Sequence, residues 1–332
     1  MDFSEDTRAR MEIAALTEPG HPVTGQLIRA IGPADTLALA RNPDAPIPAA
    51  VDPLAGVRWR QTAAAWQAEG LGDRMARFTE GYGLRALTPA TAGWPASLAD
   101  LGDRAPIVLW AKGNPELLTS SLSSRVTITG ARAATGYGIQ VAGELASSLA
   151  EQPRILVSGG GYGIDAAVHR AALATRPAST IAVLAGGLDR AYPAAHSDLF
   201  QQIADGGGVQ VSEAPPEALL TKGRFTARAR LLAALGGVTV IPEAGWRSGS
   251  LLVAARAVEL GRPVGAIPGP VTSAASAGCH RLLREGLAEV ITHTGDVREL
   301  LEPTPFPLAP AYQQVARRAA PDASRAAHRT AL

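Results

Sequence analysis

From Arg125 onward the chain alternates short β-branched apolar runs with longer helical stretches, and this alternation constrains the fold more than any other feature. Strand-like runs fall near residues 126–129, 154–157, 180–184, 208–211, 237–241, 263–267 and 288–291. Helical runs lie between them, near 137–150, 164–174, 195–204, 226–235, 249–260 and 276–284. Runs such as Ile155-Leu156-Val157 are continuously apolar, the pattern of parallel strands buried on both faces. Parallel neighbours need crossover helices, which pack on the two sides of the sheet. The predicted fold class is therefore α/β, a mostly parallel sheet with helices on both faces, preceded by a small N-terminal helical domain.

That leading domain is assigned to residues 1–83. Apolar positions such as Met11, Ile13, Leu16, Leu27, Ile28 and Ile31 recur at helical spacing, broken at Gly20-His21-Pro22 and Gly32-Pro33. The paired-helix spacing resembles helix-hairpin-helix (SAM-like) modules, and a packing module without DNA contacts fits the same pattern. Residues 41–57 read as loop because of Pro43, Pro46, Pro48 and Pro53. Ile107 to Trp110 reads as a strand leading into the large domain, assigned to 84–302. The Pro/Ala/Arg-rich stretch 303–332 is expected to be a mobile tail.

Composition narrows the class further. With 46% hydrophobic and 18% charged residues the chain carries a buried core and not general disorder. A net charge of +1 means that any nucleic-acid site must be a local basic patch. The single cysteine, Cys279, excludes an internal disulfide and a cysteine-based zinc cluster and is read as packing. The N-terminus, MDFSEDTRAR, lacks the basic-then-apolar order of a signal peptide, and no apolar run approaches the roughly 18 residues needed to span a bilayer. A cytoplasmic location without membrane attachment is expected.

Two strand-loop-helix units in succession place two small-residue loops at one sheet edge, at Gly130 and at Ser158-Gly159-Gly160-Gly161-Tyr162-Gly163. Backbone N–H groups in such loops can approach an anion closely. A dinucleotide fingerprint would need G-x-G-x-x-G and an acidic residue ending the next strand. Neither is present, and there is no P-loop, so no cofactor is expected. Arg132 in the first loop can hold a phosphate bidentately or pair with a neighbouring carboxylate such as Asp165. Downstream, Lys222, Arg224, Arg228 and Arg230 surround the single aromatic Phe225. Charge along a backbone with a ring to stack a base is a minimal single-strand site, while a core ring beneath a solvated basic face reads equally from the sequence. On a helix Arg228 and Arg230 would diverge, and on an extended lead-in they would share a face. His169 and Asp165 lack a nucleophile spaced to join them, so no catalytic residue is assigned, and Asp165 is read as a brace of helix and loop.

Ordered motifs now accumulate: G-A-R…Y-G at Gly130 to Gly138, S-G-x-x-x-G-I-D at Ser158 to Asp165, G-G-x-D-x-x-Y-P at Gly186 to Pro193, and F-x-x-R-x-R at Phe225 to Arg230. E-A…R-S-G-S-L follows at Glu243 to Leu251 and P-G-P-V-T-S…G-C…L at Pro268 to Leu282. On these the chain, from about Leu84 to Leu300, resembles the DNA-processing protein A (DprA, also called Smf) family. The resemblance implies an extended Rossmann-like domain that binds single-stranded DNA and helps load the RecA recombinase in natural transformation, as a homodimer and without catalysis. Carried over by position, Gly130, Arg132, Ser158, Gly159, Gly160, Gly161 and Gly163 would hold phosphates. Lys222 and Phe225 would clamp the strand and stack a base, with Arg224 and the pair Arg228 and Arg230 beside them.

The chain departs from the family pattern at four places: Ala229 for an asparagine, Gly161 for an alanine, His196 for an asparagine and Val253 for a threonine. It reads as a divergent member, and two other functions stay open. Nucleotide phosphoribohydrolases resemble the chain in the glycine-rich loop and carry a P-G-G-x-G-T-x-x-E motif; Glu243 is present in the corresponding region, but the glycine pattern is absent. A degenerate homologue acting as an interaction scaffold is the other.

Overall fold

The computed structural model describes residues 3–302, so the predicted tail at 303–332 lies outside the described residues. The N-terminal helices are α1 (Glu5–Leu16), α2 (Pro22–Arg41), α3 (Pro53–Ala65) and α4 (Leu71–Gly81). The Gly32-Pro33 break persists as a kink inside α2, where Gly32 takes φ +80°. The loop expected to reach residue 57 ends earlier. Pro53 opens α3, where its missing N–H is no loss, and the Asp52 side chain caps the helix by accepting from Ala55 N–H at 2.8 Å.

The strands are β1 (Arg85–Leu87), β2 (Leu109–Gly113), β3 (Arg125–Ile128), β4 (Ile155–Gly159), β5 (Thr180–Leu184), β6 (Val209–Ser212), β7 (Val238–Ile241), β8 (Val264–Ala266) and β9 (Glu289–Val290). Between and after them lie α5 (Gly136–Glu151), α6 (Ile164–Thr175), α7 (Ser197–Asp205), α8 (Lys222–Leu235), α9 (Ser250–Glu259), α10 (Ala277–Arg284) and α11 (Thr294–Leu301). One sheet holds them in the order β1-β2-β6-β5-β4-β3-β7-β8-β9. From β6 to β9 every pairing is parallel, and β2 joins β6 antiparallel with β1 antiparallel to β2. The alternation seen in the sequence is thus the parallel sheet, and the α/β class holds.

Successive strand residues serve opposite faces. Ile155 and Val157 of β4 join a cluster with α8 and α9, whereas Leu156 joins one with α5 and α6. A third cluster runs from Met11, Ile13 and Leu27 of the N-terminal helices through Trp110 to Ala182 and Leu184 of β5. The chain leaves β3 towards β4 on one side and later reaches β7 on the other. The carboxyl ends of β3 and β7 therefore flank a topological switch point, the crevice where open α/β sheets bind ligands. No helix among the described residues is long and apolar enough to cross a membrane.

Candidate nucleic-acid interface

Three loops meet at the switch point, and small residues let them meet. A Cβ on Gly130, just past β3, would lie 2.6 Å from the Glu243 carbonyl and 2.6 Å from Ile164 Cγ1. Gly163, at φ +69°, is closed in by the Ala131 carbonyl at 2.3 Å. Backbone bonds fasten the contacts: Ala131 N–H donates to Glu243 O at 2.7 Å and Ile164 N–H to Ala131 O at 3.2 Å. Asp165 is buried and braces the β4 loop. Its carboxylate accepts from Thr129 Oγ1 at 2.7 Å, Ser158 Oγ at 3.2 Å and Gly161 N–H at 3.0 Å. Glu243 after β7 is likewise 1% exposed and accepts from both the N–H and the Oγ1 of Thr135, each at 2.7 Å. Its carboxylate is a strut between loops.

Helix α8 supplies the opposite wall. It starts at Lys222, four residues earlier than the apolar pattern indicated, because the Thr221 side chain caps it by accepting from Arg224 N–H at 3.2 Å. Phe225 and Arg228 are three apart and share a face, whereas Arg230 lies on the other side. The Arg132 guanidinium sits 4.5 Å from the Phe225 ring centroid and that of Arg228 5.6 Å, with Tyr192 edge-on at 5.9 Å. Burial holds the Arg228 pKa below its ordinary value, with Arg132 adding to the shift and Asp165 opposing it. Among the described residues its Nε is buried without a hydrogen-bond partner, and Nη1 donates to the Val183 carbonyl at 3.3 Å. Two cations crowding one ring, one of them incompletely bonded, make a site that an anion would complete.

Phe225, Arg132 and Arg228 form a partition between two depressions. On one side lies a groove of about 920 Å³ that runs past Gly130 and Lys222 to Arg247 and Ser248 in the β7 loop. On the other lies a cavity of about 150 Å³ bounded by Gly160, Gly161, Tyr162, Arg190 and Tyr192.

The structure brings together Gly130, Arg132, Gly160, Gly161, Lys222, Phe225 and Arg228. The other predicted site residues lie elsewhere. Ser158 is buried and donates to the Ile128 carbonyl at 2.6 Å, and Gly159 O lies 2.8 Å from His169 Nε2. Gly163 serves the junction between loops. Arg224 donates to Leu219 O at 2.7 Å and meets Glu18 at 3.4 Å. Arg230 is 6% exposed and pairs with both oxygens of Glu213 at 2.6 Å, on the side of α8 away from the groove. The sequence reasoning passed over Arg247, Arg190, Tyr162 and Tyr192. Arg247 stands within the R-S-G-S-L motif directly after β7, a basic residue at a strand's carboxyl end, and that position was the available signal.

The four departures have local accounts. Buried Ala229 packs in the core beneath α8. His196 is buried with Nδ1 3.1 Å from Gly160 O, a contact that an asparagine amide can also make. An alanine at 161 would place its Cβ 3.0 Å from Asp165 Oδ2 and 3.6 Å from Arg132 Cγ, so Gly161 relieves a tight contact under Arg132. Val253 lines the groove with methyls where a threonine would offer a hydroxyl.

Residues 85–302 match the family model of DNA recombination-mediator protein A. The chain belongs to that family. A DprA homologue of Mycobacterium tuberculosis is 48% identical over 229 residues, covering 66% of this chain and 58% of the relative, so the match spans less than two thirds of that protein's length. The DNA processing protein DprA of Streptococcus pneumoniae is 39% identical over 204 residues, with 61% and 70% covered. The X-ray structure of the S. pneumoniae protein superposes with a TM-score of 0.67 at 29% identity, covering 90% of this chain and 98% of the other. A structure that addresses the single-stranded DNA binding mode of DNA processing protein A from Helicobacter pylori gives 0.58 at 31% identity, covering 66% and 95%. The family and the Rossmann-like α/β fold expected from the motifs are both met by these matches.

Proposed function

We propose that this chain binds single-stranded DNA in the groove at the β3–β7 switch point, protects incoming DNA and helps load the RecA recombinase during natural transformation. In this reading it acts in the cytoplasm as a homodimer and catalyses no reaction. The observation that carries the proposal is the Phe225 ring held between the groove and its side cavity with Arg132 at 4.5 Å and Arg228 at 5.6 Å. A ring that stacks a base beside cations that track the backbone suits a strand of any sequence. The family's relatives, and the H. pylori structure concerned with single-stranded DNA, support the same assignment. A phosphoribohydrolase would need Glu243 available to substrate, and both its oxygens are engaged by Thr135.

Anisotropy of a labelled oligo-dT at low salt tests the reading. Binding is expected, and Phe225→Ala is expected to weaken it by about 1–3 kcal/mol, the range for loss of one stacked base. A folded wild-type protein that leaves the oligonucleotide free would refute the assignment in favour of a scaffold role. Release of free base from a nucleoside monophosphate would refute it in favour of the enzyme. For RecA, the measurement is the lag in filament growth on coated single strands with and without the protein, and an unchanged lag removes that part.

A further inference from the structure

The groove extends to the loop after β7. Its far end is formed by the β7 loop, where Gly245 and Arg247 line it together with Ala275. Between those two lining residues stands Trp246, whose large apolar side chain is left 53% exposed. The loop is a tight turn, with Ser248 N–H donating to Gly245 O at 3.0 Å and Ser248 Oγ 2.8 Å from Ser250 Oγ. Helix α10 is seated directly on it: Gly278 N–H donates to Ala244 O at 2.7 Å, and a Cβ at 278 would stand 2.7 Å from the carbonyls of both Ala244 and Gly245. One turn along that helix, Arg281 is carried over the Trp246 ring, its guanidinium carbon 5.2 Å from the ring centroid. Arg281 is oriented by Glu285, which accepts from its Nε at 3.0 Å. Arg247, next in the chain, and Arg284, one turn on from Arg281, are both exposed.

This arrangement repeats the one at Phe225: an aromatic ring with a guanidinium against it, here carried on the loop that lines the far end of the same groove, beside the exposed Arg247. Indole is the best aromatic partner for a cation and a broad surface for a nucleobase. We propose that Trp246, with Arg281 and Arg247, is a second stacking station that extends the single-strand track along the sheet edge towards α10. The inference rests on the single-strand reading of the groove. Its occupant is the continuation of the strand held at Phe225: a base lies on the exposed indole while Arg281 and Arg247 meet the phosphates next to it. Tight packing of Gly278 on the β7 loop keeps the ring in place before the strand arrives.

Anisotropy with a length series of oligo-dT separates this inference from the reading beneath it. Short oligonucleotides that fill the Phe225 station are expected to bind wild type and Trp246→Ala equally, whereas longer ones lose about tenfold in Trp246→Ala. Phe225→Ala weakens both. Trp246→Phe, which keeps a ring, restores most of the loss, whereas Trp246→Leu, which keeps bulk against Arg281 but no π face, does not. Fluorescence adds a readout that needs no folding-sensitive variant. Trp66, 69% exposed on the N-terminal side, is changed to Phe as background, and long oligo-dT then quenches the remaining exposed indole, with the quenching lost in Trp246→Phe. If long oligonucleotides bind wild type and respond to Phe225→Ala, yet Trp246→Ala binds unchanged and no quenching is seen, the second station is overturned and the groove reading stands. Absence of any binding by wild type overturns both.

Discussion

Cys279 and His169 are buried groups whose chemistry is set by their surroundings. The Cys279 thiol is fully buried and donates to the Ile241 carbonyl at 3.3 Å, and burial pushes its pKa up to about 12, with Glu243 adding to the shift. Thiolate is the reactive species, so the native protein is expected to resist a thiol reagent such as DTNB and to react only on unfolding. A fast native reaction would contradict that placement. His169 bridges Thr180 Oγ1 at 2.7 Å and Gly159 O at 2.8 Å. Burial lowers its pKa from the ordinary 6.5 and outweighs the raising pull of Gly159 O and Asp165. Below that value the unfolded chain takes up a proton that the folded one refuses, so stability falls as pH drops from about 6.5 towards 5, by at most about 1.4 kcal/mol per pH unit for this group. His21 is shifted the same way by burial and Arg104. Urea titrations across that window are expected to show a shallower pH slope for His169→Gln than for wild type, and an equal slope would remove His169 from the account.

Helix α8 is the element that divides charge between structure and function. Its groove face offers Lys222, Phe225 and Arg228, and its far face buries Arg230 against Glu213. That pair is tied further: Arg230 Nε donates to Arg104 O at 2.7 Å, Nη1 to Ala227 O at 2.9 Å, and Glu213 accepts from Gly20 N–H at 3.1 Å. Gly20, at φ +68°, leaves room for the guanidinium, which a Cβ there would meet at 2.6 Å. Removing one member of a buried pair leaves an unpaired charge and costs about 3–5 kcal/mol. Arg230→Ala is therefore expected to lower stability by that order in urea, while the folded fraction keeps its affinity for oligo-dT. A variant of native stability with lost DNA binding would place Arg230 in the groove after all. The other end of α8 is held by Arg262, which donates to the carbonyls of Ala233 at 2.7 Å and Gly236 at 3.0 Å and to Asp100 at 2.7 Å. A cation on those terminal carbonyls also complements the helix dipole.

At the scale of the whole molecule, a net charge of +1 gives no general attraction for a polyanion. The fold concentrates Arg132, Lys222, Arg228 and Arg247 along one groove, with Asp165 engaged below. Four cations at about 0.7 counterions released per phosphate contact on a single strand give a log–log salt slope of about −3. Arg132→Ala and Lys222→Ala are each expected to reduce that slope by about 0.7, whereas Phe225→Ala lowers affinity and leaves the slope unchanged. Binding that is insensitive to salt would show that the groove does not carry the strand.

The alternation of continuous apolar runs with helical stretches determined the parallel sheet by itself, because residues buried on both faces must be apolar at every position whatever their neighbours are. The glycines at 130 and 163 read in the sequence as openings for an anion, and only the fold shows them giving the loops room to approach one another. Which basic residues serve the groove was decided only by tertiary structure. Arg228 and Arg230 stand two apart in one motif, and the sequence left open whether they share a face. Helical phase turned one to Phe225, and Glu213, from the loop after β6, buried the other. Likewise Glu243 is a strut only because folding brings it to Thr135, 108 residues away. A charged side chain's role follows from its partner, and the partner is supplied by the fold.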